Sequence, residues 1–169
     1  MERKVFWRDA VIQLLIVIAL VVGDQLVKIW ARNTLAKAPI ILWKDVFSLR
    51  LVYNTGAAFG IFHNHTLFLT IYSFALLAGI LVFYFWLPKE KKMRPMRYLL
   101  AFVVGGSIGN IIDRAAAGKV TDMFSFDLIN FPVFNIADIA LTCSCFVMVF
   151  LCLFYYKDED YKKWKKSNS

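Results

Sequence analysis

Residues 10–30 read AVIQLLIVIALVVGDQLVKIW, an apolar run broken by Gln13, Gly23, Asp24, Gln25 and Lys28. About 20 mostly apolar residues are what an α-helix needs to cross a hydrocarbon layer roughly 30 Å thick. A secretory signal peptide shares the basic start and the apolar middle. Here Gly23, Asp24, Gln25 and Lys28 stand where a small-residue cleavage site belongs, and the apolar character resumes through Leu26, Val27, Ile29 and Trp30. The run therefore reads as a retained membrane helix.

Three more runs of the same kind follow, from about Thr66 to Leu87, Tyr98 to Ile112 and Ile136 to Tyr156. The whole chain is 60% hydrophobic, against roughly 45–50% in an ordinary soluble domain. An integral membrane α-helical protein is expected, with four transmembrane helices and one membrane-embedded domain over residues 1–169. Four spans leave too little chain for a second folded unit.

The net charge of +8 does not point to nucleic acid, because the basic residues are not interleaved with exposed aromatics on a polar segment. They flank the apolar runs. Thirteen of the 20 lie before the first run, between the second and third, or after the last, as in Arg8, Lys91 and Lys163. The positive-inside bias then places both termini in the cytoplasm.

Residues 32–65 are too polar and too interrupted to cross the bilayer. Phe47, Leu49, Leu51 and Tyr53 alternate with Ser48, Arg50 and Val52, the period of a strand with one apolar face. A small extracytoplasmic β-sheet is expected within about residues 40–62, with Val120 to Phe126 as a second extended piece. Pro132 fits a helix start rather than a helix interior.

Each charge inside a span costs about 2.5–3.5 kcal/mol on insertion scales and needs a reason. At about 1.5 Å per residue, Asp24 lies roughly 21 Å from Ala10, Asp113 roughly 22 Å from Tyr98 and Asp138 roughly 27 Å from Tyr156. All three therefore reach the outer part of the hydrocarbon layer. Asp122 can meet them from the connection between the last two spans. Asp24 and Lys28 are four apart with the acid first, the favourable order for a pair along one helix. Asp113 has Arg114 beside it, and both read as supporting residues. Asp122 and Asp138 have no adjacent cation and sit among Met123, Phe124, Ile136 and Ile139. Desolvation there disfavours the charged form, the condition for a carboxyl that does acid–base chemistry.

Other chemistries find little support. Ser73, Ser107 and Ser125 have only Lys28 as an in-membrane lysine, and Asp24 already matches it. Cys143, Cys145 and Cys152 read as packing residues of the last helix. His63 and His65 have neither Cys nor carboxylate beside them, so no metal site is expected, and no cofactor. Gly105, Gly106 and Gly109 lie in an apolar helix and read as close packing, not as a phosphate loop.

Five ordered motifs resemble lipoprotein signal peptidase, or signal peptidase II. They are Asp24-Gln25 with Lys28, the run Asn54-Thr55-Gly56-Ala57-Ala58-Phe59-Gly60, the run from Gly105 through Asn110 to Asp113-Arg114, then Val120-Thr121-Asp122 and Phe134-Asn135-Ile136-Ala137-Asp138. Met123 departs from the phenylalanine usual in that family. The resemblance implies an aspartyl endopeptidase of the bacterial cytoplasmic (inner) membrane. It would remove signal peptides from diacylglyceryl-modified prolipoproteins, cutting just before the lipidated cysteine. Asp122 and Asp138 map onto the catalytic pair. Asp24, Lys28, Asn54, Gly56, Asn110, Asp113, Arg114 and Asn135 map onto positions that line or brace the site. The implied partners are the diacylated prolipoprotein, membrane lipid and globomycin-type inhibitors, with a monomer as the working unit. Two rival readings are a proton-coupled transporter and a noncatalytic assembly subunit. Neither predicts peptide cleavage, and the chain has no inverted repeat of the kind many transporters carry.

Overall fold

A computed structural model describes residues 3–56, 65–129 and 131–160. Most of the Asn54–Gly60 motif, His63 and the four lysines after Tyr161 lie outside the described residues. The helices are α1 (Arg3–Thr34), α2 (Thr66–Trp86), α3 (Arg94–Ala117) and α4 (Ile136–Phe150), the last continuing as a π-helical stretch Leu151–Tyr155. All four, with their short extensions, are long and apolar enough to cross a membrane.

The third helix is the axis of the bundle and packs against α1, α2 and α4. Its glycines make this possible. Gly105 meets Leu20 of α1, Gly106 meets Leu141 and the Ala137 carbonyl of α4, and Gly109 meets both Asp24 and Ala137. The other helices turn large apolar side chains outward, such as Leu14, Phe85 and Phe146. Lipid tails accept those faces, so packing between helices rests on close backbone approach instead of on water exclusion. Cys143 and Cys145 on α4 and Cys152 on the π-helical stretch are exposed, while Ala137 and Ser144 are the buried residues of α4.

At the end carrying both termini, Leu87, Met93, Met96, Leu100 and Tyr156 form one buried cluster. Arg97, also buried, donates to the carbonyls of Tyr84 and Leu87 and so satisfies acceptors left open where α2 stops. Arg94 pairs with buried Asp9 at 2.6 Å, fastening α3 to α1.

At the opposite end lies an antiparallel sheet in the order β1 (Ile40–Trp43), β2 (Phe47–Asn54) and β3 (Val120–Phe126). A second cluster, Ala31, Leu35 and Met123 with Leu49 and Leu51 against it, seats the sheet on the end of α1. Met123 is fully buried there. The alternation read in β2 holds only in part, since Ser48 is buried and Tyr53 exposed. Ser48 is buried ahead of any irregularity, where it pairs with the fully buried Ser125 of β3, and the outward turn of Tyr53 comes from a bulge. Leu49 pairs with Phe124 and Val52 with Asp122, so β2 carries one extra residue between those pairs. That residue moves Val52 and Asn54 onto the face of Leu49, which is also the face of Asp122.

Candidate active site

Each of the two aspartates arrives on an element whose local chemistry holds it in place. Asp138 is the third residue of α4 and belongs to a capping box with Asn135. The Asn135 side chain accepts from the Asp138 N–H at 2.9 Å, and the Asp138 carboxylate accepts from the Asn135 N–H at 3.1 Å. Two open donors of the helix start are thereby satisfied. Asp122 lies mid-strand in β3. Next to it runs the segment that leads into α4, held by Phe134 N–H to Phe124 O at 3.0 Å and Phe124 N–H to Phe134 O at 2.9 Å. Pro132 stands in this segment three residues before the Asn135 cap, ahead of the helix and not inside it.

Asn135 is the hinge between the two. Its amide nitrogen donates to Asp122 at 2.7 Å and to Asn110 Oδ1 at 3.1 Å. Asn110 in turn donates to Asp138 at 2.8 Å. On the other flank Asn54 donates to Asp122 at 3.2 Å and accepts from the Gly56 N–H at 2.9 Å. Three neutral amides therefore orient two carboxylates without neutralising either. Burial, and then the charge of Asp138, push the Asp122 carboxyl up to about 7, while the Asn135 and Asn54 donors and the Lys28 charge pull it back.

Both carboxylates face one cavity of about 410 Å³. Asn54, Asn110 and Arg114 complete its polar end, and Phe131, Phe134, Ile139 and Leu141 give it an apolar wall. Arg114 and Asp113 are adjacent in sequence but form no ion pair among the described residues. Arg114 reaches the Gly56 carbonyl at 3.4 Å, and its buried Nε has no hydrogen-bond partner among the described residues. Successive residues of a helix point in different directions, so Arg114 enters the cavity while Asp113 turns to α1.

Asp24, Lys28 and Asp113 lie behind the cavity. Lys28, with no exposed surface, is 2.8 Å from Asp24 and 3.4 Å from Asp113. Asp24 accepts from the Ala137 N–H at 3.0 Å, and Asp113 from the Thr121 N–H at 2.8 Å. Gln25 and Arg32 join this group, Gln25 through Asp113 at 3.2 Å and Arg32 through Thr121 at 2.9 Å. Motif reading gave neither a role. The signal was present, because positions 25, 28 and 32 fall on one stripe of a helix.

Residues 16–154 match the family model for Signal peptidase (SPase) II. A lipoprotein signal peptidase of Clostridium acetobutylicum is 36% identical over 159 residues, which is 90% of this chain and 99% of that protein. Another, from Brevibacillus brevis, is 40% identical over 110 residues, 65% of this chain and 72% of that protein. A solved bacterial membrane enzyme, determined by the in meso method, aligns with a TM-score of 0.73 at 25% identity, covering 86% of this chain and 92% of its own. A second such structure gives 0.72 at 26% identity. Sequence kinship over nearly the full length and a shared fold lead to one assignment: the chain belongs to the signal peptidase II family.

Proposed function

We propose that the protein is an aspartyl endopeptidase that removes signal peptides from diacylglyceryl-modified prolipoproteins, with Asp122 and Asp138 as its catalytic pair. The observation that carries this reading is that two carboxylates from separate elements face one cavity and share Asn135 as a hydrogen-bonding neighbour. Two like charges so placed resist joint ionisation, so the pair holds one proton over a wide pH range. The ionised member takes a proton from water as its oxygen attacks the scissile carbonyl. The protonated member polarises that carbonyl and later protonates the leaving amine. No covalent acyl-enzyme forms.

The cavity supports this substrate class. Its polar end suits the peptide and its apolar wall suits a lipid-modified residue; a cut just before the diacylated cysteine is what membership of the family implies. The Arg114 Nε, buried with no partner among the described residues, is a donor available to a substrate oxygen. Globomycin-type cyclic peptides would compete for the same space. A monomer is taken as the working unit, with residues 1–169 as one membrane-embedded peptidase domain. The basic flanks favour an orientation in the bacterial inner membrane with both termini in the cytoplasm and the sheet outside.

Cleavage of a synthetic diacylated precursor peptide by the purified protein is the direct test. Release of the signal peptide is expected. No cleavage of the diacylated peptide by well-folded protein, in lipid and in detergent, would end this reading.

A further inference from the structure

Asp122 and Asp138 come from different elements, and Asn135 and Asn110 bridge them directly. Behind the cavity stand two other aspartates in a matched arrangement. Asp113 holds the backbone N–H of Thr121 at 2.8 Å, one residue before Asp122. Asp24 holds the N–H of Ala137 at 3.0 Å, one residue before Asp138. Each buttress thus grips the chain next to one member of the pair.

Two residues of α1 join the buttresses. The Lys28 ammonium contacts Asp24 at 2.8 Å and Asp113 at 3.4 Å, and donates to Asn110 Oδ1 at 3.0 Å. The Gln25 amide donates to Asp113 at 3.2 Å, to Asp24 at 3.4 Å and to the Gly109 carbonyl at 3.0 Å. Asp24, Lys28 and Asp113 are at most 5% exposed, and none of them, nor Gln25, lines the cavity. They cannot touch a substrate there. Without a cation between them, two buried carboxylates would push apart and carry their backbone segments with them.

We infer that Gln25 and Lys28 are positioning residues that set the separation of Asp122 and Asp138, by tying the Asp24 and Asp113 buttresses into one unit. The inference rests on the catalytic pair proposed above and adds to it the device that gauges the pair. Proton sharing and attack of water on the carbonyl both depend on that separation, and a misplacement of about 1 Å in such a site costs roughly 10²-fold in rate.

The test measures kcat, KM and the pH–rate profile on a diacylated precursor peptide, with thermal unfolding of each variant. Lys28→Met is expected to lower kcat about 10²-fold and Gln25→Leu about tenfold, with KM moved less than about threefold, since neither touches substrate. Asp122 faces the charges of Asp138 on α4, Lys28 on α1 and Arg114 on α3, besides the neutral Asn54 and Asn135. Removing the Lys28 charge therefore moves the acidic limb of the profile to higher pH, and Gln25→Leu leaves it in place. A cycle of Asp24→Asn, Asp113→Asn and the double variant adds a measure that does not require Lys28→Met to fold. If the buttresses act as one unit, the double variant loses little more than the worse single. Losses that multiply, or a raised KM at unchanged kcat in the Gln25 and Lys28 variants, would overturn the inference. Asp122→Asn in the same assay separates the two levels. Full activity there sinks the catalytic pair itself, whereas a dead Asp122→Asn beside fully active Gln25→Leu and Lys28→Met sinks only the positioning role.

Discussion

The Asn135 amide nitrogen donates to the Asp122 carboxylate at 2.7 Å, while the same residue's side-chain oxygen accepts from the Asp138 backbone. One side chain therefore caps the helix that carries one aspartate and orients the other. Asn135→Asp keeps a good cap but turns the donor facing Asp122 into a second acceptor. Folding should survive and cleavage should fall by at least about 10²-fold, as for loss of one preorganised donor. Asn135→Ala should lose activity and also about 1 kcal/mol of stability, the usual cost of a lost cap. Unfolding curves alongside initial rates distinguish the two effects. An active Asn135→Asp would show that the amide only caps.

Asp122→Asn and Asp138→Asn preserve volume and remove a titrating carboxyl. Each is expected to lower the cleavage rate by at least about 10³-fold, as when one member of a cooperative catalytic unit is deleted. Asp127 is the control, for it pairs with Arg50 and Ser125 at the far end of β3 and lies outside the cavity. Asp127→Asn should keep most of its activity. Near-normal turnover in either folded Asp122→Asn or Asp138→Asn would remove the assignment.

Burial raises the Asp122 carboxyl from about 3.8 to about 7 in the folded chain. Between those values the folded protein keeps a proton that the unfolded chain has lost, so this group's contribution to stability falls as pH rises through that window. Asp122→Asn lacks the group. The difference in Tm between variant and wild type should therefore shift in favour of the variant from pH 4 to pH 8. A difference that stays flat across that range would contradict the raised proton affinity.

Close approach of α3 to α4 allows no extra carbon. A Cβ at Gly106 would lie 2.7 Å from the Ala137 carbonyl oxygen, which is backbone and has no side-chain freedom to yield. Gly106→Ala should destabilise the protein by about 1–3 kcal/mol through overpacking. It should also lower kcat, because moving Ala137 moves Asp138. Gly79 meets nothing within 4 Å of such a carbon, and Gly79→Ala should be harmless or mildly stabilising. Equal Tm values for the two variants would refute the packing account.

Cysteines introduced at Asn33 and at Lys91, in a background without Cys143, Cys145 and Cys152, test the orientation. Both sites are exposed and lie at opposite ends of the bundle. A membrane-impermeant reagent applied outside cells should label position 33 and spare position 91. The reverse pattern, or equal labelling, would overturn the proposed topology.

Much of this protein was legible in one dimension because a bilayer imposes one-dimensional rules. Length and apolarity alone distinguish a spanning helix, and a charge within a span stands out against the cost of placing it there. Asp24 with Lys28 was readable because helical spacing makes residues four apart neighbours. Val120 to Phe126, expected as a second extended piece, is β3. What the sequence alone could not decide is where elements distant in the chain meet. The bulge between Leu49 and Val52 turns Asn54 toward Asp122, and it exists only through pairing with β3, some 70 residues later. Arg114 and Asp113 are adjacent in sequence, yet helix geometry sends one to the cavity and the other to Lys28. Gln25 shares a helix stripe with Lys28, but its partners Asp113 and Gly109 come from another helix and could not be named from the sequence. Residue types and spacing state which groups are costly to bury. Only the packed structure assigns each its partner, because a buried charge is stabilised by atoms within a few ångströms in space, wherever they fall along the chain.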